Sequence, residues 1–169
     1  MALCCLYRVK TQSFRLCWSF EGSGGDEEQK VEMWLQQAIN SSATKVRLKV
    51  VHPGKPFALS LCVLGCDSLR VDAGEGFLKF PKVPYFDTKL RSLALGPFRI
   101  EKDCNIGELL SSFKSLKKLR LEKIRGIKKI NITSSSIEIL AIVSSDRKLC
   151  DIDFQLEKLY DIFLVWTPK

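Results

Sequence analysis

The chain has 169 residues, 46% of them hydrophobic and 27% charged, which excludes a disordered polyelectrolyte and describes an ordinary soluble globular protein. Its 27 Lys and Arg outnumber 19 Asp and Glu, for a net charge of +8, a balance that attracts acidic partners without specifying a fold. At this length about 70% of the unfolded surface can be buried, enough for one core.

Met1 to Tyr7 is apolar, but no basic segment precedes it and no small-residue cleavage site follows, so it does not read as a signal peptide. Adjacent Cys4 and Cys5 lack a lipidation context. Phe14, Leu16 and Trp18 alternate with Ser13, Arg15, Cys17 and Ser19, the period-2 pattern of a half-buried strand. Residues 21–26 are glycine-rich and predict a flexible loop. Asp26 is placed to cap a helix over about 27–40, with Glu27 and Glu28 in the first turn, where the backbone dipole favours acids. Val31, Trp34, Leu35, Ala38 and Ile39 form one apolar stripe along it.

From there a phrase recurs, Leu-x-x-Leu-x-Leu with other apolar residues allowed. Weak copies are Ala43, Val46, Leu48 and Cys66, Leu69, Val71. Strong copies are Leu90, Leu93, Leu95; Leu116, Leu119, Leu121; Ile137, Leu140, Ile142; and Leu159, Ile162, Leu164. Successive starts are 23, 24, 26, 21 and 22 residues apart, the period of leucine-rich repeats. Between copies, His52 to Pro56 predicts a turn and Gly74 to Pro84 a loop. Asn105 and Glu108 have capping-box spacing and predict a short helix over Ile106 to Phe113. Ile127, Ile130, Ile132 and Leu149, Ile152, Phe154 repeat the phrase about midway between the main copies, which predicts strands on an opposite wall. The ninth positions, Phe98, Ile124, Ser145 and Thr167, carry no asparagine ladder.

One repeat cannot bury its own apolar edge, but stacked repeats can. The reading is therefore an α/β leucine-rich-repeat solenoid with parallel strands on a concave face, short helices on the return side and two-walled C-terminal coils. It forms one domain, 1–169, with the loop at 21–26, the helix at about 27–40 and repeats over about 43–166.

Several phrases resemble the leucine-rich-repeat region of plant F-box proteins. They are Val31 to Ala38 followed by Val46-Arg47-Leu48; Cys66 to Arg70; Lys89 to Leu95; Ser115 to Leu119; and Ile132 to Leu140. The resemblance covers about Ser13 to Trp166. It implies repeats that capture a target protein. In that family an F-box bundle of about three helices docks onto a Skp-type adaptor of a cullin ubiquitin ligase. Only about a dozen residues precede the first strand, so an adaptor partner and ligase recruitment are not expected.

Alternation places a set of side chains on the concave face. The candidate contact residues are Arg47, Arg70, Lys118, Arg120, Glu122, Ile139, Ala141, Val143, Asp161, Phe163 and Val165. The face begins basic and ends apolar. Apolar patches of this kind mark interfaces when exposed. The densest charge is Lys114, Lys117, Lys118, Arg120, Lys123, Arg125, Lys128 and Lys129, which opens the alternative of a basic nucleic-acid-binding surface. No aromatic residues interleave with it as stacking platforms.

Catalysis finds no support: one histidine, His52, no phosphate-binding glycine motif, and no nucleophile, base and orienting group that could meet. No cofactor and no metal are expected, since Cys62 and Cys66 form no Cys-x-x-Cys pair. The seven cysteines are odd in number and fit no disulfide framework. They read as free thiols of a reducing compartment, cytoplasm or nucleus. The longest greasy stretch, Phe57 to Cys66, is far below the ~20 residues of a membrane span. The function read from the sequence is a non-catalytic protein-interaction module. The alternatives are the nucleic-acid surface and a truncated relic without independent activity.

Overall fold

The last two apolar places of the repeat phrase lie two residues apart, so in an extended chain both side chains leave the strand on the same side. A computed structural model describes residues 12–21, 25–52, 55–74, 76–80, 88–100, 106–144, 146, 149 and 151–167. In chain order the elements are β1 (Ser13–Ser19), α1 (Gly25–Asn40), β2 (Lys45–Val51), β3 (Phe57–Ala58), a 3-10 turn (Leu61–Gly65), β4 (Ser68–Asp72), β5 (Phe77–Lys79) and β6 (Ser92–Leu95). They continue with β7 (Phe98–Ile100), α2 (Ile106–Ser111), β8 (Lys118–Glu122), β9 (Ile124–Arg125), β10 (Lys129–Ser134), β11 (Ile139–Ser144), β12 (Asp151–Leu156) and β13 (Asp161–Trp166).

These elements make a parallel-strand β-solenoid with few helices. Its main sheet has seven strands in the order β1-β2-β4-β6-β8-β11-β13, every neighbouring pair parallel. The register aligns the repeat phrases, producing two continuous apolar rows. One runs Phe14, Val46, Leu69, Leu93, Leu119, Leu140, Ile162 and the other Leu16, Leu48, Val71, Leu95, Leu121, Ile142, Leu164. The five central members of each row are buried, and each such side chain contributes about 1.5–3 kcal/mol of apolar burial. The rows open at the β13 end, where Ile162 and Leu164 are exposed.

Two smaller parallel sheets accompany it, β3-β5-β7-β9 and β10-β12. The midway phrases form the second of these: Ile130 pairs with Ile152 and Ile132 with Phe154, and both isoleucines of β10 are buried. The four-stranded sheet is not anticipated by the repeat phrase. Part of the segment predicted as a loop, Phe77–Lys79, is strand β5, because Leu78 is fully buried between two exposed neighbours and pairs with Phe57 and Ile100. The ninth positions Phe98 and Ile124 are buried and pair with each other across β7 and β9. Strand pairing thus stands where an asparagine ladder would otherwise satisfy the turn.

The connection from β1 to β2 must be a crossover, since parallel strands cannot be joined by a hairpin. Helix α1 supplies it, burying Val31, Leu35 and Ala38, with Trp34 meeting Trp18 of β1 edge to face at 5.2 Å. It starts at Gly25, so Asp26 lies in the first turn rather than at the cap. It ends with Ser42 at φ 65°, Ala43 N donating to Ala38 O and Ser42 N to Ile39 O. This is the Schellman arrangement with serine in the usual glycine place. Helix α2 stops at Ser111, two residues before Phe113, which is still buried. The capping residue Asn105 and the segment Met1 to Tyr7 lie outside the described residues.

Gly96 is where the main sheet meets the turn into β7. Its φ is +145°, and a Cβ there would collide with the carbonyl of Glu122 on β8. Gly96→Ala should therefore cost several kcal/mol, combining a strained backbone with a clash, whereas Leu121→Ala should cost about 2–5 kcal/mol as a cavity. Urea unfolding of the two variants measures both. Wild-type stability in Gly96→Ala would contradict this packing.

Candidate functional site

The residues between the apolar ones point away from the core, and the same register aligns them into outward rows. The middle row is Arg15, Arg47, Arg70, Ala94, Arg120, Ala141 and Phe163, one residue per strand from β1 to β13. One flanking row is Ser13, Lys45, Ser68, Ser92, Lys118, Ile139 and Asp161. On the other flank Cys17, Lys49 and Asp72 align at one end, and Glu122, Val143 and Val165 at the other.

All eleven candidate residues read from the sequence lie in these rows, but they are not equivalent. Arg47, Arg70, Lys118, Arg120, Asp161 and Phe163 are exposed, and Phe163 shows 53% of its surface. Ile139, Val143 and Val165 are half-buried. Ala141 is only 8% exposed, because a methyl group between Arg120 and Phe163 lies below the level of its longer neighbours. It leaves room rather than offering contact.

Glu122 is committed within the molecule. The outward positions of β6 carry only the small Ser92 and Ala94, with Gly96 just past its end, leaving a trough between β4 and β8. Across it Glu122 Oε2 reaches Arg70 Nη2 at 3.6 Å, while Oε1 accepts from Arg120 Nε. One carboxylate thus bridges two arginines on either side of the trough. Asp72 is also engaged, accepting from Gly74 N at 3.0 Å. Arg15 and Arg47 stand in neighbouring register positions, and among the described residues neither has an acidic group within ion-pair distance.

Arg15 is the member that reading the repeat phrase misses. Phe14 and Leu16 carry the spacing of the last two apolar places, but their strand lacks an apolar leading place. The 16-residue helix α1 also separates it from β2, so the period is broken. The signal was the Ser-Phe-Arg-Leu-Cys-Trp alternation, which identifies a strand but not its sheet.

The long basic run is divided among three sheets, with Lys118 and Arg120 on β8, Arg125 on β9 and Lys129 on β10. Lys118 and Arg120 point out from the main sheet. Lys117 is paired with Glu138 at 2.8 Å. Lys129 belongs to the β10-β12 sheet and is paired with Asp151 at 2.9 Å.

Away from the face, reactive side chains are held in unreactive settings. His52 is buried against Phe20, ring centroids 4.4 Å apart, with Nε2 3.4 Å from Glu28 Oε1. Burial raises the Cys62 thiol pKa and pushes that of Cys66 up to about 11, so at neutral pH both stay protonated and weakly nucleophilic. Cys66 Sγ donates to Val63 O at 2.9 Å. Among the described residues no three His, Cys, Asp or Glu side chains converge as a metal set would require.

Like charges directly opposite each other on neighbouring strands destabilise by roughly 0.2–1 kcal/mol. Arg47 has arginine on both sides in register, so Arg47→Gln should stabilise the fold by about that amount at low salt. The gain should shrink as salt screens the row. Urea unfolding at two salt concentrations measures it, and a loss of stability at low salt would contradict the alignment.

Compared with protein-family models, with curated proteins and with solved structures, the chain matches none.

Proposed function

We propose that this chain is a non-catalytic protein-interaction module that captures a partner on the outward face of the seven-stranded sheet. The observation that carries the reading is the row alignment. One register brings guanidinium groups together at one end of the face and Phe163, Val143, Val165 and Ile139 at the other. Rigid sheets with regularly spaced side chains suit recognition of another chain, since little conformational entropy is lost on contact. An exposed aromatic flanked by aliphatic residues is the kind of anchor that dominates protein interfaces.

The repeat period and the aligned rows support reading the coils as leucine-rich repeats with a concave main sheet, two-walled toward the C-terminal end. By resemblance, the role is that of the target-recognition repeats of plant F-box proteins: capture of a target, without recruitment of the ligase by the repeats themselves. Among the described residues no helix is long and apolar enough to cross a membrane. The cytoplasm or nucleus remains the compartment this reading assigns, on the thiol content alone. The spread of the basic run over three sheets weakens the nucleic-acid alternative, because phosphate contacts gain affinity by acting together on one surface.

Affinity capture with the wild-type chain, followed by the same capture with Phe163→Lys plus Val143→Asp, tests the assigned face. The double variant should lose at least tenfold of the captured partner while keeping its folded circular-dichroism spectrum. Met33→Lys, on the exposed side of α1, should capture normally. Equal capture by all three proteins would overturn the assignment.

A further inference from the structure

We infer that the basic end of the sheet is a binding site for an extended acidic peptide, whose carboxylates take the place on Arg15 and Arg47 that Glu122 takes on Arg70 and Arg120. The inference rests on the outward face being an interaction surface, and it adds the chemistry of the partner.

Three observations support it. The first is charge. From β1 to β8 the in-register outward positions present Arg15, Lys45, Arg47, Lys49, Arg70, Lys118 and Arg120 against Asp72 and Glu122. That is seven cations and two acids, a local excess of five. Glu122 is held by Arg70 and Arg120 and Asp72 accepts from Gly74 N, and among the described residues no carboxylate lies within ion-pair distance of Arg15 or Arg47.

The second is geometry. Neighbouring strands lie about 4.8 Å apart, so the row from Arg15 to Arg120 extends about 19 Å across four strand intervals. An extended peptide lying along it presents same-side residues about 6.7 Å apart, within the reach of flexible arginine side chains. The trough at Ala94 and Gly96 is already spanned by one carboxylate touching guanidinium groups on both its sides. Carboxylate recognition by this row is thus displayed within the protein itself, with guanidinium as the group suited to it.

The third separates a peptide from a nucleic acid. The outward positions of β1, β2 and β4 contain no aromatic ring, so bases would find no stacking platform there. The Glu122 carboxylate, held at the β4-to-β8 end of the row, would repel a continuous phosphate backbone that ran the row's length. A peptide can end short of it, with its carboxylates on Arg15 and Arg47.

The test uses the full chain and fluorescein-labelled decapeptides read by fluorescence anisotropy at low salt. One peptide alternates Glu and Ser, a second alternates Gln and Ser, and a single-stranded decanucleotide is the third probe. The Glu peptide should bind and the Gln peptide should not, and affinity should fall steeply with added salt. Arg15→Glu and Arg47→Glu should each weaken it at least tenfold. Lys30→Glu, an equal change of charge on the exposed surface of α1, should change it less than twofold. Arg47→Gln, too mild a change to threaten folding, should fall between.

Three results would overturn the inference: no binding of the Glu peptide at low salt, equal weakening by Lys30→Glu and Arg47→Glu, or tighter binding of the oligonucleotide than of the peptide. Any of these, with partner capture still lost in the Phe163 and Val143 variant, would remove the acidic peptide and leave the interaction face standing.

Discussion

The register of the seven parallel strands is the constraint on which everything else depends. Because side chains alternate, a slip of one residue on any strand would move its buried pair to the surface and its outward residues into the core. The two apolar rows, Val46 to Leu140 and Leu48 to Ile142, make such a slip prohibitively costly in the five central strands. Hydrophobic burial is not directional, yet here it fixes directional detail on the opposite face. The alignment of Arg15, Arg47, Arg70 and Arg120 is a by-product of apolar side chains that leave the strands on the other side.

Small residues matter on this face as much as charged ones. Ala94 and, just past β6, Gly96 leave no long side chain between Arg70 and Glu122, and so Glu122 can bridge to Arg70. Gly96 is further required by its backbone conformation and by the approach of the Glu122 carbonyl. The turn that lets β7 join the second sheet is therefore the turn that positions the carboxylate on the first. Fold and surface chemistry meet at one residue.

Much of the core could be read from the sequence, because the repeat phrase records the buried side directly. Leu93, Leu95, Leu119, Leu121, Leu140 and Ile142 take their places from spacing alone, and the midway phrases locate β10 and β12 in the same way. The short strands β3, β5, β7 and β9 could not be read. Two or three residues are too few to show a period, and their pairing depends on coils brought together by the main sheet. On the candidate face, spacing identified which residues point outward but not their different roles. It could not show that Arg15 extends the row across a 16-residue helical crossover, that Ala141 is sunk between its neighbours, or that Glu122 is already committed.

The central claim is that one register places the basic and apolar ends on a single continuous sheet face. Spin labels at positions 47 and 163, in a background with the native cysteines replaced, address it by electron-electron distance measurement. Five strand intervals separate these positions, which predicts a single narrow distribution near 24 Å before allowance for the label arms, shortened by any curvature toward that face. A broad distribution, or one centred well beyond that length, would contradict the account.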